Sequence, residues 1–148
     1  MKIYRARQED SEDILAWRND PVSCSMFKST EIVTLEEHKK WFQRILEDQN
    51  RYLFIASEGE NKIGVCRFDL SDDKAVAEVS INLNPIMRGK GFSYKLLSGA
   101  ISEFRKIHNV ELVAIIKKVN QISVKCFDKC GFIFDREEGE YNFYKKIV

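Results

Sequence analysis

A glycine-rich, basic turn joins a strand-like run to a helix-like run near the middle of this 148-residue chain. The strand-like run is Val76–Leu83 and the helix-like run is Phe92–Lys106, and a further strand-like run follows at Val110–Lys117. Strands that alternate with a helix in this order imply a sheet with helices packed on its faces. The feature therefore restricts the chain to folds that combine both kinds of element.

The composition of the turn predicts that it holds a phosphate group. Gly89 and Gly91 allow the backbone to come close to a ligand. The free N–H groups and the positive dipole end of the following helix would face an anion, and Arg88 and Lys90 would add charged contacts. The spacing matches neither a P-loop nor a dinucleotide fingerprint, because Tyr94 stands where the third glycine of the fingerprint would be.

The rest of the chain predicts a single α/β domain over residues 1–148. Clustered strands followed by alternation indicate a mixed sheet flanked by helices, in the order β-α-α-β-β-β-α-β-α-β-β. The four predicted helices begin at Asp10 or Ser11, Thr34, Phe92 and Asn120. The seven predicted strands are Lys2–Ala6, Tyr52–Ser57, Lys62–Leu70, Val76–Leu83, Val110–Lys117, Phe132–Arg136 and Tyr141–Ile147.

Charge and apolar patterning exclude several classes of protein. The chain has 24 basic and 23 acidic residues, so a net charge of +1 gives no general attraction to nucleic acid or to a membrane surface. There is no apolar run of membrane-spanning length and no signal-peptide pattern, and we expect a cytoplasmic protein. The four cysteines form no CxxC pair, so we expect no metal site.

The turn resembles motif A of the GNAT acetyltransferase superfamily, Arg/Gln-x-x-Gly-x-Gly/Ala, with Arg88, Gly91 and Ser93 at the pattern positions. Ser93 replaces the usual Gly or Ala with another small residue. The resemblance implies a GNAT-like fold with a seven-stranded mixed sheet and about four helices, and acetyl-CoA as co-substrate. The residues that it assigns to acetyl-CoA are Ile81, Asn82, Leu83, Arg88, Gly89, Lys90, Gly91, Phe92, Ser93, Tyr94 and Asn120.

The same resemblance directs attention to proton-transfer groups. Glu78 is the leading candidate for the base, since it alternates with Ser80 and Asn82 along one face of a strand. The alternative is that this face is simply turned to solvent. Many GNAT enzymes carry a tyrosine, seven residues after the asparagine, where this chain has Phe127. Tyr144 is the preferred substitute acid, with Tyr141 and Tyr94 as other candidates. The alternative is that Tyr144 is an ordinary aromatic residue of a half-buried strand.

Two N-terminal segments resemble a narrower branch, the acetyltransferases of the pseudaminic-acid pathway, which acylate the 4-amino group of a UDP-linked amino sugar. The segments are Trp17-Arg18-Asn19-Asp20-Pro21 and Glu36-Glu37-His38. This resemblance implies a small-molecule amine acceptor that is bound by Trp17, Arg18, Asn19, His38 and Ser80. Core packing of Trp17 and of His38 is the alternative interpretation of those two residues.

Two other functions remain open at this level. One is acetylation of a protein N-terminus or lysine, which the near-neutral charge does not favour. The other is a non-catalytic acyl-CoA-binding sensor, which Phe127 favours and Glu78 disfavours. A homodimer is possible, and the sequence does not identify the acceptor.

Overall fold

The fold is described from a computed structural model that covers residues 1–148. The strands are β1 (Lys2–Arg5), β2 (Arg51–Glu58), β3 (Asn61–Leu70), β4 (Val76–Leu83), β5 (Glu111–Lys117), β6 (Ile133–Glu138) and β7 (Tyr141–Lys146). The α-helices are α1 (Ser11–Asn19), α2 (Pro21–Met26), α3 (Leu35–Glu47), α4 (Phe92–Arg105) and α5 (Gln121–Lys129). Short 3₁₀ turns lie at Gln8–Asp10 and Pro85–Met87.

The seven strands form one sheet in the order β1-β2-β3-β4-β5-β7-β6. Only β4 and β5 pair in parallel, and α4 is the helix that connects them. All other neighbouring strands are antiparallel. The predicted mixed sheet of seven strands is therefore confirmed.

Helices cover both faces of the sheet, because alternate residues of the central strands are apolar on both sides. On one face the larger core packs α4 and α5 on the strands, and it includes Phe54, Phe68, Val79, Leu96 and Phe104. On the other face a smaller core packs α1 and α3 on the strands, and it includes Ile14, Trp17, Phe42, Leu53 and Val65. The alternation in β4 turns Ala77 and Val79 to the larger core and leaves Ser80 and Asn82 on the α1 and α3 side.

Helix α2 was not predicted, and it raises the number of α-helices from four to five. Asp20-Pro21 ends α1, as expected, but Asp20 then caps a new helix by accepting a hydrogen bond from the Ser23 N–H at 3.1 Å. Pro21 occupies the first turn, where its missing N–H costs no hydrogen bond. The Asp20-Pro21 dipeptide thus ends α1 and begins α2.

The pairing of β4 with β5 is short, and this shapes the centre of the molecule. It covers three residue pairs, from Val76 with Glu111 to Glu78 with Val113. On its other edge β4 stays paired with β3 as far as Leu83. Gly64 permits this close approach, because a Cβ there would lie 2.6 Å from the Asn82 carbonyl oxygen. A slot therefore opens between β4 and β5 from Ser80 onward.

None of the helices has both the length and the apolar composition that crossing a bilayer requires. The structure brings together no group of three or more His, Cys, Asp or Glu side chains with the arrangement of a metal site. All four cysteines are unpaired, and burial raises the pKa of the Cys66 thiol well above its ordinary value.

Candidate active site

The slot between β4 and β5 leads into the glycine-rich turn. Asn84 anchors the end of β4, since its side chain donates to the Lys62 carbonyl at 2.9 Å and its N–H donates to the Ile63 carbonyl at 2.8 Å. Gly89 and Gly91 both adopt positive φ, at 74° and 76°, and Gly91 is the N-cap residue of α4. Such angles favour glycine, because a side chain would be strained there.

The N-terminus of α4 is open to an anion. Gly91 provides no side chain to cap it, and no acidic residue lies in the first turn. By contrast, α3 is capped by Thr34 and α5 by Asn120, whose side chain accepts from the Ser123 N–H at 3.3 Å. The backbone N–H groups of the first turn of α4 therefore lack a side-chain acceptor and can bind phosphate oxygens.

The side chain of Arg88 points away from this N-terminus, toward α2. Its Nη2 donates to Asp20 Oδ2 at 2.6 Å and to Ser23 Oγ at 2.7 Å. The hydrogen bond from Arg88 lowers the pKa of the Asp20 carboxyl below its ordinary value. Lys90 is exposed, and its ammonium forms no ion pair. Arg88 and Lys90 were both predicted to contact the phosphate, but Arg88 already binds Asp20 and Ser23, so Lys90 is the one available for that contact.

The remaining residues predicted to contact the cofactor lie around the slot. Phe92 and Ser93 are half-buried in the first turn of α4, and the exposed Tyr94 ring is covered by the Lys129 ammonium at 4.3 Å. Ile81, Asn82 and Leu83 form the part of β4 that has lost its β5 partner, and Asn120 follows β5 at the opposite side of the slot. The loop, the open strand and the asparagine are thus parts of one region.

A cavity of about 530 Å³ lies on the α1 and α3 face of the sheet and reaches the same open part of β4. Ser80, Ile81 and Asn82 form its floor near the slot. Its other walls come from α1, the segment after α2, α3, β2 and β3; they are Ile14, Arg18, Phe27, Val33, Glu37, His38, Lys40, Trp41, Arg44, Leu53, Val65 and Arg67. The cavity therefore faces the slot as an acceptor site would.

Positive charge predominates in this cavity. Four cationic side chains line it, Arg18, Lys40, Arg44 and Arg67, against the single carboxylate of Glu37. Asp69 pairs with Arg67 at 2.8 Å from outside the lining, which leaves an excess of two positive charges. Low-dielectric walls strengthen the field of such charges, so the cavity favours an anionic ligand.

The residues predicted to bind the acceptor divide into two groups. Arg18 lines the cavity, where it also donates to the Ser29 carbonyl at 2.8 Å and covers the Phe27 ring at 4.3 Å. Trp17 instead lies in the smaller core and is 5 % exposed, so the structure corrects its predicted acceptor role. Asn19 fixes the segment between α2 and α3. Its side-chain amide donates to the Val33 carbonyl and accepts from the Val33 N–H, both at 2.8 Å.

His38 lines the cavity but is also packed within the protein. Its ring is 3 % exposed, stacks on Phe42 with centroids 5.5 Å apart, and contacts Ser11 Oγ through Nε2 at 3.0 Å. Burial lowers the pKa of His38 below its ordinary value, because the charged imidazolium loses hydration. The side chain therefore joins α3 to α1 in its neutral form.

The groups predicted to transfer protons lie in different environments. Glu78 is exposed on β4, opposite Asp69 on β3, and lies two residues before Ser80 on the same face of the strand. Phe127 is 1 % exposed and packs edge-on against Phe132 with centroids 4.9 Å apart. Tyr144 is 6 % exposed in the larger core, and its hydroxyl accepts from the Asn142 side chain at 3.2 Å.

Sequence reasoning missed several residues that line the cavity. Trp41 and Arg44 lie on the same face of α3 as Glu37, and Arg67 faces Ser80 across β3 and β4. The helical spacing of 37, 41 and 44 carried a signal, since residues three and four apart share a helix face. The position of Arg67 beside Ser80 in the cavity could be predicted only with knowledge of how β3 and β4 are aligned.

Known proteins resemble this chain over nearly its whole length. The acetyltransferase (GNAT) domain model matches residues 1–133. Acetyltransferase PseH of Campylobacter jejuni is 26 % identical over 141 residues, which cover 93 % of this chain and 87 % of that protein. Two crystal structures have the same fold with TM-scores of 0.84: a ribosomal-protein-alanine N-acetyltransferase from Brucella melitensis, 21 % identical with full coverage of both chains, and a spermidine N-acetyltransferase from Vibrio cholerae in complex with CoA and spermine, 18 % identical over 97 % and 92 %.

The burial of neutral His38 predicts a pH-dependent stability. The unfolded state binds a proton near pH 6.5, whereas the folded state does so only at lower pH, so the free energy of unfolding should fall as the pH drops below about 6.5. In His38→Gln this decrease should be smaller. Urea unfolding between pH 7.5 and 5.5 measures both slopes, and equal slopes for the two proteins would contradict the assignment.

Proposed function

The chain belongs to the GNAT acetyltransferase family, and we propose that it transfers acetyl from acetyl-CoA to the primary amine of a nucleotide-linked amino sugar. The observation that carries the proposal is the excess of positive charge in the cavity beside the slot. A diphosphate group would complement that charge, and Trp41 and Phe27 offer aromatic surface for a base or sugar ring. A reaction that uses acetyl-CoA is consistent with a cytoplasmic protein.

The donor side of the proposal rests on backbone groups. We assign the pyrophosphate of acetyl-CoA to the N–H groups of Gly91 and the first turn of α4, helped by Lys90. The pantetheine arm would lie along Ile81–Leu83, where β4 offers a strand edge without a β5 partner. A backbone N–H of that edge would stabilise the thioester oxygen as it gains negative charge.

The acceptor side rests on charge and chemistry. Arg18, Lys40 and Arg44 come from two helices that form the outer wall of the cavity, and each is a phosphate-binding type of side chain. A polyamine such as spermidine carries several positive charges, so this cavity would repel it. The W-R-N and E-E-H segments, which contribute Arg18, Glu37 and His38 to the lining, support a sugar-nucleotide acceptor by their resemblance to that branch.

For the chemical step we propose that Glu78 removes a proton from the acceptor ammonium through water. It lies on the same face of β4 as Ser80 and is exposed, so solvent can bridge it to the cavity. The neutral amine then attacks the thioester carbon, the C–S bond breaks, and CoA leaves as its thiolate, while the second proton of the nitrogen passes to water and leaves a neutral amide. Phe127 cannot protonate that thiolate, and Tyr144 remains the predicted acid, although its hydroxyl is buried.

An acceptor panel tests the function directly. We expect a UDP- or dTDP-linked 4-amino sugar to be acetylated with a kcat/KM at least about tenfold above that of spermidine or of an alanine-initiated peptide, since one well-placed charge contact is worth roughly a factor of ten. Release of free CoA thiol measures turnover. Preferential acetylation of the peptide or of spermidine would contradict the proposal.

Two adjacent lysines of α3 test the role of the cavity charge. Lys40→Gln should raise the KM of the best acceptor about threefold to tenfold, because Lys40 lines the cavity. Lys39→Gln changes the net charge equally, but Lys39 is exposed and lies outside the lining. Steady-state kinetics at low ionic strength should therefore separate the two variants, and equal KM values would refute an electrostatic role.

Replacement of the proposed base should lower the rate of the chemical step. We expect Glu78→Gln to reduce kcat about 100-fold, the usual size of a general-base contribution, with little change in the KM for acetyl-CoA. Glu137→Gln is the control, since Glu137 is an exposed carboxylate on edge strand β6. A kcat for Glu78→Gln within about twofold of the unmodified enzyme would assign proton removal to another group.

A further inference from the structure

Helix α2 is tied to both sides of the slot. On the β4 side, the Arg88 guanidinium donates to Asp20 Oδ2 at 2.6 Å and to Ser23 Oγ at 2.7 Å. On the β5 side, Lys117 Nζ donates to the Ser25 carbonyl at 3.0 Å. These partners are 65 to 92 residues apart in the chain, so the contacts are tertiary and specific to this arrangement.

The segment that follows α2 forms part of the wall of the cavity, and the helix itself contacts Arg18 of that wall through Cys24. Cys24 is buried, accepts from Arg18 Nη1 at 3.1 Å and donates to the Thr30 carbonyl at 3.1 Å. Arg18 also donates to the Ser29 carbonyl and covers Phe27, and both Arg18 and Phe27 line the cavity. The position of this wall therefore depends on how α2 is held.

Arg88 connects the two regions because of its place in the chain. It directly precedes Gly89, and the positive φ angles of Gly89 and Gly91 shape the turn that leads into α4. The Asp20 and Arg88 side chains are 19 % and 35 % exposed, so the ion pair is only partly screened by water. A ligand that fixes the turn would thereby also fix Asp20 and α2.

We propose that Asp20 is a positioning residue, and that its contact with Arg88 couples occupancy of the cofactor loop to the order of residues 21–30, the segment that carries Phe27 into the acceptor wall. This inference rests on the proposed function only in treating that wall as the acceptor side. Arg88 then acts through Asp20 and Ser23, and the pyrophosphate is left to the backbone and to Lys90. Such coupling is reciprocal, so loosening the wall weakens CoA binding by the same factor.

Hydrogen exchange with CoA as the probe tests the coupling without any acceptor. Adding CoA to the wild-type protein should slow exchange of amides in 88–95, and also slow exchange in 21–30 by about fivefold or more. In Asp20→Asn, which can still cap α2 through its side-chain oxygen, protection of 88–95 should remain while the change in 21–30 falls below about twofold. The Kd of this variant for CoA should rise by the same factor by which the CoA-dependent protection of residues 21–30 is reduced.

Asp48→Asn is the matched control. Asp48 also pairs with an arginine, Arg51, and accepts from a backbone N–H, that of Asn50, but it lies at the end of α3 away from both regions. It should behave as wild type. Ser23→Ala, which removes only the hydroxyl contact, should give an intermediate loss, and Asp20→Glu should restore part of the coupling.

Unchanged protection of 21–30 in Asp20→Asn would overturn the proposal. So would a wild-type protein in which CoA protects 88–95 but not 21–30. These outcomes are independent of the acceptor panel. If a nucleotide sugar is acetylated but CoA does not protect residues 21–30, the proposed function stands and only the role of Asp20 is removed.

Discussion

The departure of β4 from β5 is the constraint on which the rest of the site depends. If β4 and β5 stayed paired to the ends of both strands, the sheet would have no gap between them. Here the pairing stops at Glu78, while β4 continues to Leu83. The strand stays on β3 because Gly64 has no side chain to meet the Asn82 carbonyl. The open edge of β4 results from this single break in pairing, and both the glycine-rich turn and the cavity adjoin that edge.

The two halves of the site are built in different ways. The proposed donor side uses backbone geometry, namely a strand edge, two glycines at positive φ and an uncapped helix end. The proposed acceptor side uses side chains from four or more elements, including Lys40 and Arg67. Backbone geometry survives most substitutions, whereas a cavity changes character with two or three. This accounts for relatives of similar fold whose names specify acceptors as different as spermidine and a ribosomal protein.

Local pattern predicted most of the fold, because period and capping are local properties. The seven strands, the Thr34 cap and the orientation of Ser80 followed from alternation and from short motifs. For Trp17 the sequence allows either an acceptor contact or core packing, and the structure has it in the core. Both Trp17 and Trp41 lie on helices, and only the packing angle decides which one meets the cavity. The pairing of Arg88 with Asp20 spans 68 residues and has no local signature.

The buried phenyl ring at Phe127 bears on which proton transfer matters most. A thiol has an ordinary pKa of about 8.5, so a thiolate is a competent leaving group near neutral pH. An amine with a pKa near 8 to 10 is mostly protonated there and cannot attack until it loses a proton. Removal of that proton is therefore the step that needs a catalytic group, and protonation of CoA is the step that can be left to solvent. With an exposed carboxylate at Glu78, the proposed base, and no hydroxyl at Phe127, the chain would retain the more necessary of the two functions.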